Sequence, residues 1–343
     1  MNSPRPVERP NIGRHSVMVF SGLFATFATV VVLSLRIGSI PVSFEDVLAS
    51  LLAYDPGSYE QTVIRGLRVP RTVIGIGVGA ALASAGAAMQ ASTRNPLAGP
   101  AILGVNSGAA FGVVTAVFFL GITQTWGFVW FAFAGGLIAS TVVYAIGSVG
   151  PGGASPVKLA LAGVVVSSLL SSWTNALVLL DEQTLDVMRF WNAGSLTGRS
   201  FDVFMTVTPF LGTGIAAMLL LSHQLNILSL DEETARALGM NTTRVRAIIS
   251  LIVVVLAGAS VAATGPIGFV GLAVPHMVRK LAGPDYRWVM PVSLVVGPTL
   301  LLGTDIIGRV IARPSEIQVG IITALVGAPF LIVLARRRRA AQL

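Results

Sequence analysis

The stretch that decides the fold is RVPRTVIGIGVGAALASAGAAMQASTRNPLAGPAILG, residues 68–104. Two arginines flank a proline, a run of apolar and small residues follows from Thr72 to Met89, and the run closes on Arg94-Asn-Pro-Leu-Ala-Gly-Pro100. About 18 helical residues rising about 1.5 Å each cover about 27 Å, enough to cross a bilayer core. The Gly, Ala and Ser content predicts neighbouring helices at close approach rather than lipid on every side. The segment therefore reads as one helix of a multi-helix membrane protein, with a charged mouth at one end and an irregular loop at the other.

Composition extends this reading to the whole chain. Of 343 residues, 54% are hydrophobic and 11% charged, against about 25% charged in soluble domains. The net charge of +8 does not point to nucleic acid, because the basic residues sit at the ends of apolar runs, as membrane orientation signals do. The absence of cysteine excludes disulfides, thiolate metal sites and cysteine nucleophiles. Arg5, Arg9 and Arg14 precede an apolar run from Val17 to Leu35. That run is longer than a signal-peptide core and no small-x-small cleavage site follows it, so it reads as a retained first helix.

Ten spans are expected, near 17–35, 72–90, 103–120, 126–147, 159–180, 203–221, 247–263, 268–280, 289–311 and 319–335. The eighth is too short to cross upright and carries Pro275 and His276, which suits a segment buried in protein or lining a cavity. With the N-terminus inside, the inner loops hold Arg94, Lys158, Arg236, Arg244, Arg246, Arg279, Lys280, Arg287 and Arg336 to Arg339. The outer segments hold Asp55, Glu60, Asp181, Glu182, Asp186, Asp202 and Glu316. This is the positive-inside pattern. Arg65, Arg68, Arg71, Arg189, Arg199, Arg309 and Arg313 fall outside against the trend and invite a functional explanation. Arg68-Val69 entering the second span parallels Arg244-Val245 entering the seventh, and Ala81, Ala83 and Ser84 parallel Ala257, Ala259 and Ser260. Since those helices run in opposite directions, the parallel would be an inverted repeat.

Three extramembrane segments stand out. Val42 to Leu52 has helical periodicity, with Ser43 three residues before Asp46. Asp181 to Gly198 is a second outer amphipathic stretch. On the inner side, Ser229 and Glu232 have capping-box spacing, Asp231 to Leu238 then forms a short helix, Gly239 ends it, and Asn241 or Thr242 caps the next. The result is a helix–glycine–helix unit over residues 225–246.

These motifs together identify a resemblance to the FecCD-type permease family of bacterial ABC importers, which move iron–siderophore complexes, haem or vitamin B12. It rests on RVPR at 68–71, RNPLAGP at 94–100, LAGV at 161–164, WNAGSL at 191–196, ARALGM at 235–240, GPIGFVGLAVPH at 265–276 and VGAP at 326–329. The resemblance implies an all-α polytopic membrane protein of about ten helices with an inverted internal repeat, similar to the vitamin B12 permease fold. The single permease domain would fill 1–343, with an inner N-terminus at 1–16, inner coupling helices at 225–246 and an inner tail at 336–343. It implies a second permease subunit, identical or homologous, two ATPase subunits, an extracytoplasmic binding protein, and a ferric siderophore as substrate in the bacterial cytoplasmic membrane. WNAGSL is similar to relatives that handle catecholate siderophores such as ferric enterobactin.

No G-x-x-x-x-G-K-[ST] occurs in the chain, so ATP and magnesium are expected on the partner ATPases and no cofactor on this chain. His15, His223 and His276 share no ligand spacing, and neither a metal site nor catalytic residues are expected. In the resembling family, arginines matching Arg68, Arg71 and Arg309 meet acidic residues of the binding protein, a task that suits a permanently charged, bidentate guanidinium. Residues matching Asp231, Glu232, Arg236, Ala237, Leu238, Gly239 and Met240 meet the ATPase. Asn95 and Leu97, with Ser155, Pro156 and Val157, match positions near the inner closure of the pathway. Many relatives carry an acid where this chain has Gly99. Asp305 stands four residues before Arg309, the favourable helical order for an ion pair. The pair reads as orienting the arginine. An ion-coupled secondary transporter would instead use such an intramembrane carboxylate for coupling. Arg336 to Arg339 read as a stop-transfer anchor at the anionic inner leaflet.

Overall fold

The computed structural model describes residues 14–38, 42–150 and 155–340. Residues 1–13 of the expected inner N-terminus, residues 341–343, and the Arg336–Arg339 side chains lie outside what is described. Fifteen α-helices follow one another: α1 (Arg14–Arg36), α2 (Phe44–Leu52), α3 (Tyr59–Val63), α4 (Val69–Thr93), α5 (Val105–Leu120), α6 (Thr125–Ser148), α7 (Pro156–Leu180), α8 (Glu182–Asn192), α9 (Phe201–Leu220), α10 (Ser222–Ser229), α11 (Glu232–Ala237), α12 (Thr242–Thr264), α13 (Val270–Ala282), α14 (Tyr286–Ile311) and α15 (Val319–Ala340). Each expected span corresponds to one helix, in the order α1, α4, α5, α6, α7, α9, α12, α13, α14 and α15. Among the described residues, seven helical segments are long and apolar enough to cross a membrane unaided; Val105–Leu120 and Val319–Ile332 are shorter apolar helices. At 13 residues, α13 is too short to cross upright.

The second span begins earlier than expected. A helix starts at Tyr59 and runs on through a π-turn, Ile64–Arg68, into α4. Pro70 accounts for the widened turn: it has no N–H, and its ring would press on the Gly66 carbonyl in a regular α-helix. The most hydrophobic window of this span is 83% buried, against 6% for α1, so α4 is the central helix and α1 lies at the rim.

Small residues set the packing. A Cβ on Gly86 would fall on the backbone of Gly271 in α13, and one on Gly79 would sit 2.7 Å from Pro298 in α14. Gly108 and Gly112 of α5 meet the carbonyls of Gly135 and Phe131 in α6 in the same way. Helices this close gain dispersion contacts that bulkier side chains would prevent. The break after α4 (NPLAGP and a 3₁₀ turn, Pro100–Leu103) precedes the short α5, and the break after α12 (Gly265-Pro-Ile-Gly-Phe269) precedes the short α13. The two halves thus share the order long buried helix, break, short helix, as the inverted repeat requires.

The helix ends sort into two sets without reference to a membrane. At one end the C-terminus of α1 meets the start of α4 and the end of α14 through Arg309 and Arg68. At the other, α10 meets the start of α14 through Asn226 and Asp285, and the end of α4 meets α13 through Gln90 and Arg279. These are the ends that the charge pattern assigns to the outer and inner faces.

One local expectation is corrected. Ser229 does not cap α11: its hydroxyl turns back to the Asn226 carbonyl at 2.6 Å, closing α10. Asp231 is the cap, accepting from the Thr234 amide at 2.8 Å and the Thr234 hydroxyl at 2.6 Å. A carboxylate can take both donors and is favoured at a helix N-terminus, which is why it displaces the serine.

Candidate functional site: two polar ends joined by one helix

The outer end is built on the exposed carbonyls of α1. A helix leaves its last four carbonyls without partners inside the helix, and cations suit that negative end. Arg68 Nη1 donates to the Leu35 carbonyl at 3.0 Å and the Arg36 carbonyl at 2.5 Å. Arg309 Nη1 donates to the carbonyls of Ser34 at 2.7 Å and Ile37 at 2.9 Å. Asp305, fully buried, lies between two arginines. Arg71 grips it bidentately, Nη2 to Oδ1 at 2.7 Å and Nε to Oδ2 at 3.0 Å. Arg309 reaches Oδ2 through Nε at 3.0 Å and also through Nη2. Arg71 Nη1 pairs with Glu316 at 2.6 Å, and the same Glu316 oxygen accepts from the Thr197 hydroxyl at 3.2 Å.

The three arginines of the expected docking set are therefore brought together, but they are buried and engaged within the chain rather than spread on an open surface. Three guanidinium groups against two carboxylates leave one net positive charge at this mouth. Asp305 has both oxygens engaged by arginine, the arrangement in which it would orient Arg309. Glu316 and the α1 carbonyls are members of the cluster that the sequence did not reveal, because their partners lie far away along the chain.

WNAGSL and GPIGF have a shared structural role. The Ser195 amide donates to the Thr264 carbonyl at 2.7 Å, and the Gly320 amide donates to the Gly194 carbonyl at 3.0 Å. Gly194 has φ +66°, and a Cβ there would strike the Pro266 carbonyl. The loop after α8 is thus woven between the end of α12 and the start of α15.

At the inner end, α11 closes on a paired turn. The Gly239 amide bonds to the Arg236 carbonyl at 2.9 Å and the Met240 amide to the Ala235 carbonyl at 3.1 Å, with Gly239 at φ +81°. This is the Schellman arrangement. Asn241 then caps α12 through the Arg244 amide at 3.0 Å. Arg236 pairs with Glu232 at 2.6 Å. Leu238 is exposed at the end of α11, and the Thr234 hydroxyl and amide hold the Asp231 carboxyl at its start below the usual range. Behind this unit, Asn226 donates to Asp285 at 2.6 Å and accepts from the Tyr286 amide at 2.8 Å, clamping α10 to the first turn of α14. Arg279 ties Gln90 of α4 to Tyr286.

The expected inner-closure residues lie at this end. Asn95 Oδ1 accepts from the Leu97 amide at 2.9 Å, folding the loop after α4, and Leu97 is exposed. Ser155 caps α7 through the Lys158 amide at 3.4 Å, Pro156 occupies its first turn, and Val157 is exposed. The 3₁₀ turn after the first loop packs on α7, where a Cβ on Gly163 would meet the Ile102 carbonyl. Gly99 has room for a side chain, with Leu272 at an ordinary 3.6 Å. The outward face of α7 is a further polar feature, carried by none of the motifs. Ser168, Ser171, Ser172 and Asn175 are exposed there among Val164, Val165, Leu169 and Trp173. Polar groups in mid-span facing away from their own bundle were the signal available.

Comparison with known proteins agrees with this architecture. The chain is 48% identical over 307 residues to the Fe(3+)-citrate import system permease protein YfmD of Bacillus subtilis, covering 90% of this chain and 91% of that one. It is 44% identical over 320 residues to the ferric enterobactin transport system permease protein FepD of Escherichia coli, covering 92% and 94%. A solved structure described as an inward-facing conformation of a putative metal-chelate type ABC transporter superposes with TM-score 0.82 at 32% identity, covering 94% of this chain and 99% of that one. The FecCD transport family matches residues 26–337, so this polytopic membrane protein belongs to the FecCD transport family.

Proposed function

We propose that the chain is the membrane-spanning subunit of a binding-protein-dependent ABC importer, taking up a ferric siderophore or related iron chelate by ATP-driven alternating access. Family membership with relatives named for ferric citrate and ferric enterobactin supports the substrate class. A relative named as a cobalamin import permease, 39% identical over 81% of this chain, favours vitamin B12 as the second reading; haem is kept beside it.

The observation that carries the mechanism is that one helix joins both ends. The 26 residues of α14 span about 39 Å. Its first turn is clamped to α10 by Asn226, and its last turns hold Asp305 and Arg309 in the outer cluster. In this reading a binding protein presents carboxylates to the mouth that Arg68, Arg71 and Arg309 frame. The side chains are buried and engaged within the chain, so their surplus positive charge favours encounter through its field rather than by preformed contacts. Two ATPase subunits carrying ATP and magnesium press on Asp231, Glu232, Arg236, Ala237, Leu238, Gly239 and Met240. The movement reaches the outer mouth through α14 and the inner closure at Asn95, Leu97 and Ser155 to Val157. The polar face of α7 suits a pathway shared with a second permease subunit. The chain performs no covalent chemistry, its N- and C-termini lie in the cytoplasm, and it sits in the bacterial cytoplasmic membrane.

The test is uptake of radioactive ferric siderophore by cells with and without the partner ATPase gene. Complete loss on deletion supports the importer; undiminished uptake, or uptake that follows a proton or sodium gradient, overturns it.

A further inference from the structure

A cavity beside the buried ion cluster, sharing Glu316 with it, opens on the outer face. It measures about 450 Å³ and lies among α8, the loop after it, the α5–α6 turn and the start of α15. Phe128, Phe190 and Trp191 supply aromatic wall, and Arg199, Thr197 and Gln318 supply polar groups. Its size is that of a small-molecule site.

The state of Arg199 sets this cavity apart. Among the other outer arginines, Arg65 lies over the Tyr54 ring at 4.5 Å, Arg189 is an exposed side chain beside Asp186, Arg71 and Arg309 share Asp305, Arg68 bonds the α1 carbonyls, and Arg313 is exposed. Arg199 makes one hydrogen bond, Nε to the Ser195 carbonyl at 3.3 Å, and no ion pair with any described residue. Glu316 borders the same cavity, but Arg71 and Thr197 already hold it. Burial pushes the Arg199 guanidinium down to about 10, so it remains charged at neutral pH. The Gln318 carboxamide has no hydrogen-bond partner among the described residues. The Trp191 Nε1–H is likewise buried without an acceptor. A guanidinium partly stripped of water and given no acid is unfavourable unless something else supplies the anion.

We propose that this cavity is a subsite for an anionic iron chelate whose ligand carries a planar ring with adjacent oxyanions. The oxyanions face the free Arg199 nitrogens and the Gln318 amide, and the ring lies against Phe128, Phe190 and Trp191. Bidentate guanidinium–oxyanion pairing and aromatic contact are the two chemistries the walls offer. The assignment rests on the importer reading, since the cavity opens on the face where substrate would arrive.

The test is equilibrium dialysis of the full chain in lipid nanodiscs against radioactive iron(III) complexed with 2,3-dihydroxybenzoate, and against iron(III) citrate. The dihydroxybenzoate complex should bind saturably. Losing a charge-assisted pair should weaken it about tenfold or more in Arg199→Gln, with part of the affinity kept in Arg199→Lys. Phe190→Ala should weaken it about threefold or more. Matched unfolding temperatures establish that the variants fold. Absence of saturable binding, or binding by Arg199→Gln within about twofold of wild type, overturns the proposal; so does equal, equally Arg199-dependent binding of the citrate complex, which needs no ring. ATP-driven uptake is measured separately. A chain that binds through Arg199 but does not transport loses the importer reading and keeps the subsite. A chain that transports with Arg199→Gln binding unchanged keeps the importer and loses the subsite.

Discussion

Replacing Asp305 by alanine should destabilise the protein more than any other single change at the outer mouth. The carboxylate is fully buried and accepts from four guanidinium nitrogens, two on Arg71 and two on Arg309. Asp305→Ala leaves Arg309 without a carboxylate and Arg71 with Glu316 alone. Removing one partner of a buried ion pair costs about 3–5 kcal/mol. Here one carboxylate serves two cations, so the upper half of that range applies. Asp305→Asn keeps the shape and one acceptor oxygen but loses the charge. It should cost about 1.5–3 kcal/mol, the worth of a charged hydrogen bond. The assay is reversible denaturant unfolding in detergent micelles, read as the shift in midpoint at constant slope. Arg309→Met is combined with Asp305→Ala in a double-mutant cycle. The double variant should be more stable than the sum of the single losses predicts, because the stranded cation has gone. Asp305→Ala within about 0.5 kcal/mol of wild type, or strict additivity in the cycle, would refute the reasoning, since either means that Asp305 carries no shared charge.

Three further expectations concern packing and the inner end. Gly86→Ala places a Cβ on the Gly271 backbone and should cost about 1–3 kcal/mol by overpacking. Gly212→Ala, with nothing within 4 Å of its Cβ, should be neutral or slightly stabilising, and equal unfolding midpoints for the two would contradict the close approach of α4 and α13. Gly239→Pro cannot adopt φ +81° and loses the amide bond to Arg236; it should uncouple ATP hydrolysis from transport while the protein still inserts, and normal coupled transport would show that the turn is not a contact. Asp285 is held down to about 2 by Arg287 and Asn226. Its folded value lies below the unfolded value of about 4, so its contribution is fully present above that pH and fades as pH falls from about 4 towards about 2. The stability gap between wild type and Asp285→Asn should therefore be constant near neutrality and close in that acid window. A gap that persists at pH 2 would mean the tether does not depend on the charge.

Much of the membrane architecture was legible because it rests on local signals. Apolar runs and their flanking charges marked the span corresponding to every membrane helix, and the short GLAVPH segment was recognisable as a helix that could not cross alone. What was not legible depends on distant partners. Arg68, Arg71 and Arg309 stood out as misplaced charges and the spacing paired Asp305 with Arg309, yet sequence alone could not show that Arg71 shares Asp305 or that Glu316 and the α1 carbonyls join them. The Ser229–Glu232 spacing suggested a cap, and Asp231 took the position because its carboxylate accepts two donors from Thr234. WNAGSL and GPIGF entered as motifs of the family resemblance, and the structure accounts for Gly194 and Gly265 through backbone contacts that exclude a Cβ, whereas Gly268 has open space around it. The cavity at Arg199 was foreshadowed by one outer arginine against the charge trend, without any hint of its aromatic wall.

The central claim is tested most directly by uptake into proteoliposomes. They would contain this chain, its co-purifying permease and ATPase partners, and the binding protein, with radioactive ferric siderophore outside and ATP within. The account predicts uptake that needs both ATP and the binding protein, and that is lost in Gly239→Pro while the complex still assembles. Uptake that proceeds without ATP and follows an imposed proton or sodium gradient would contradict it.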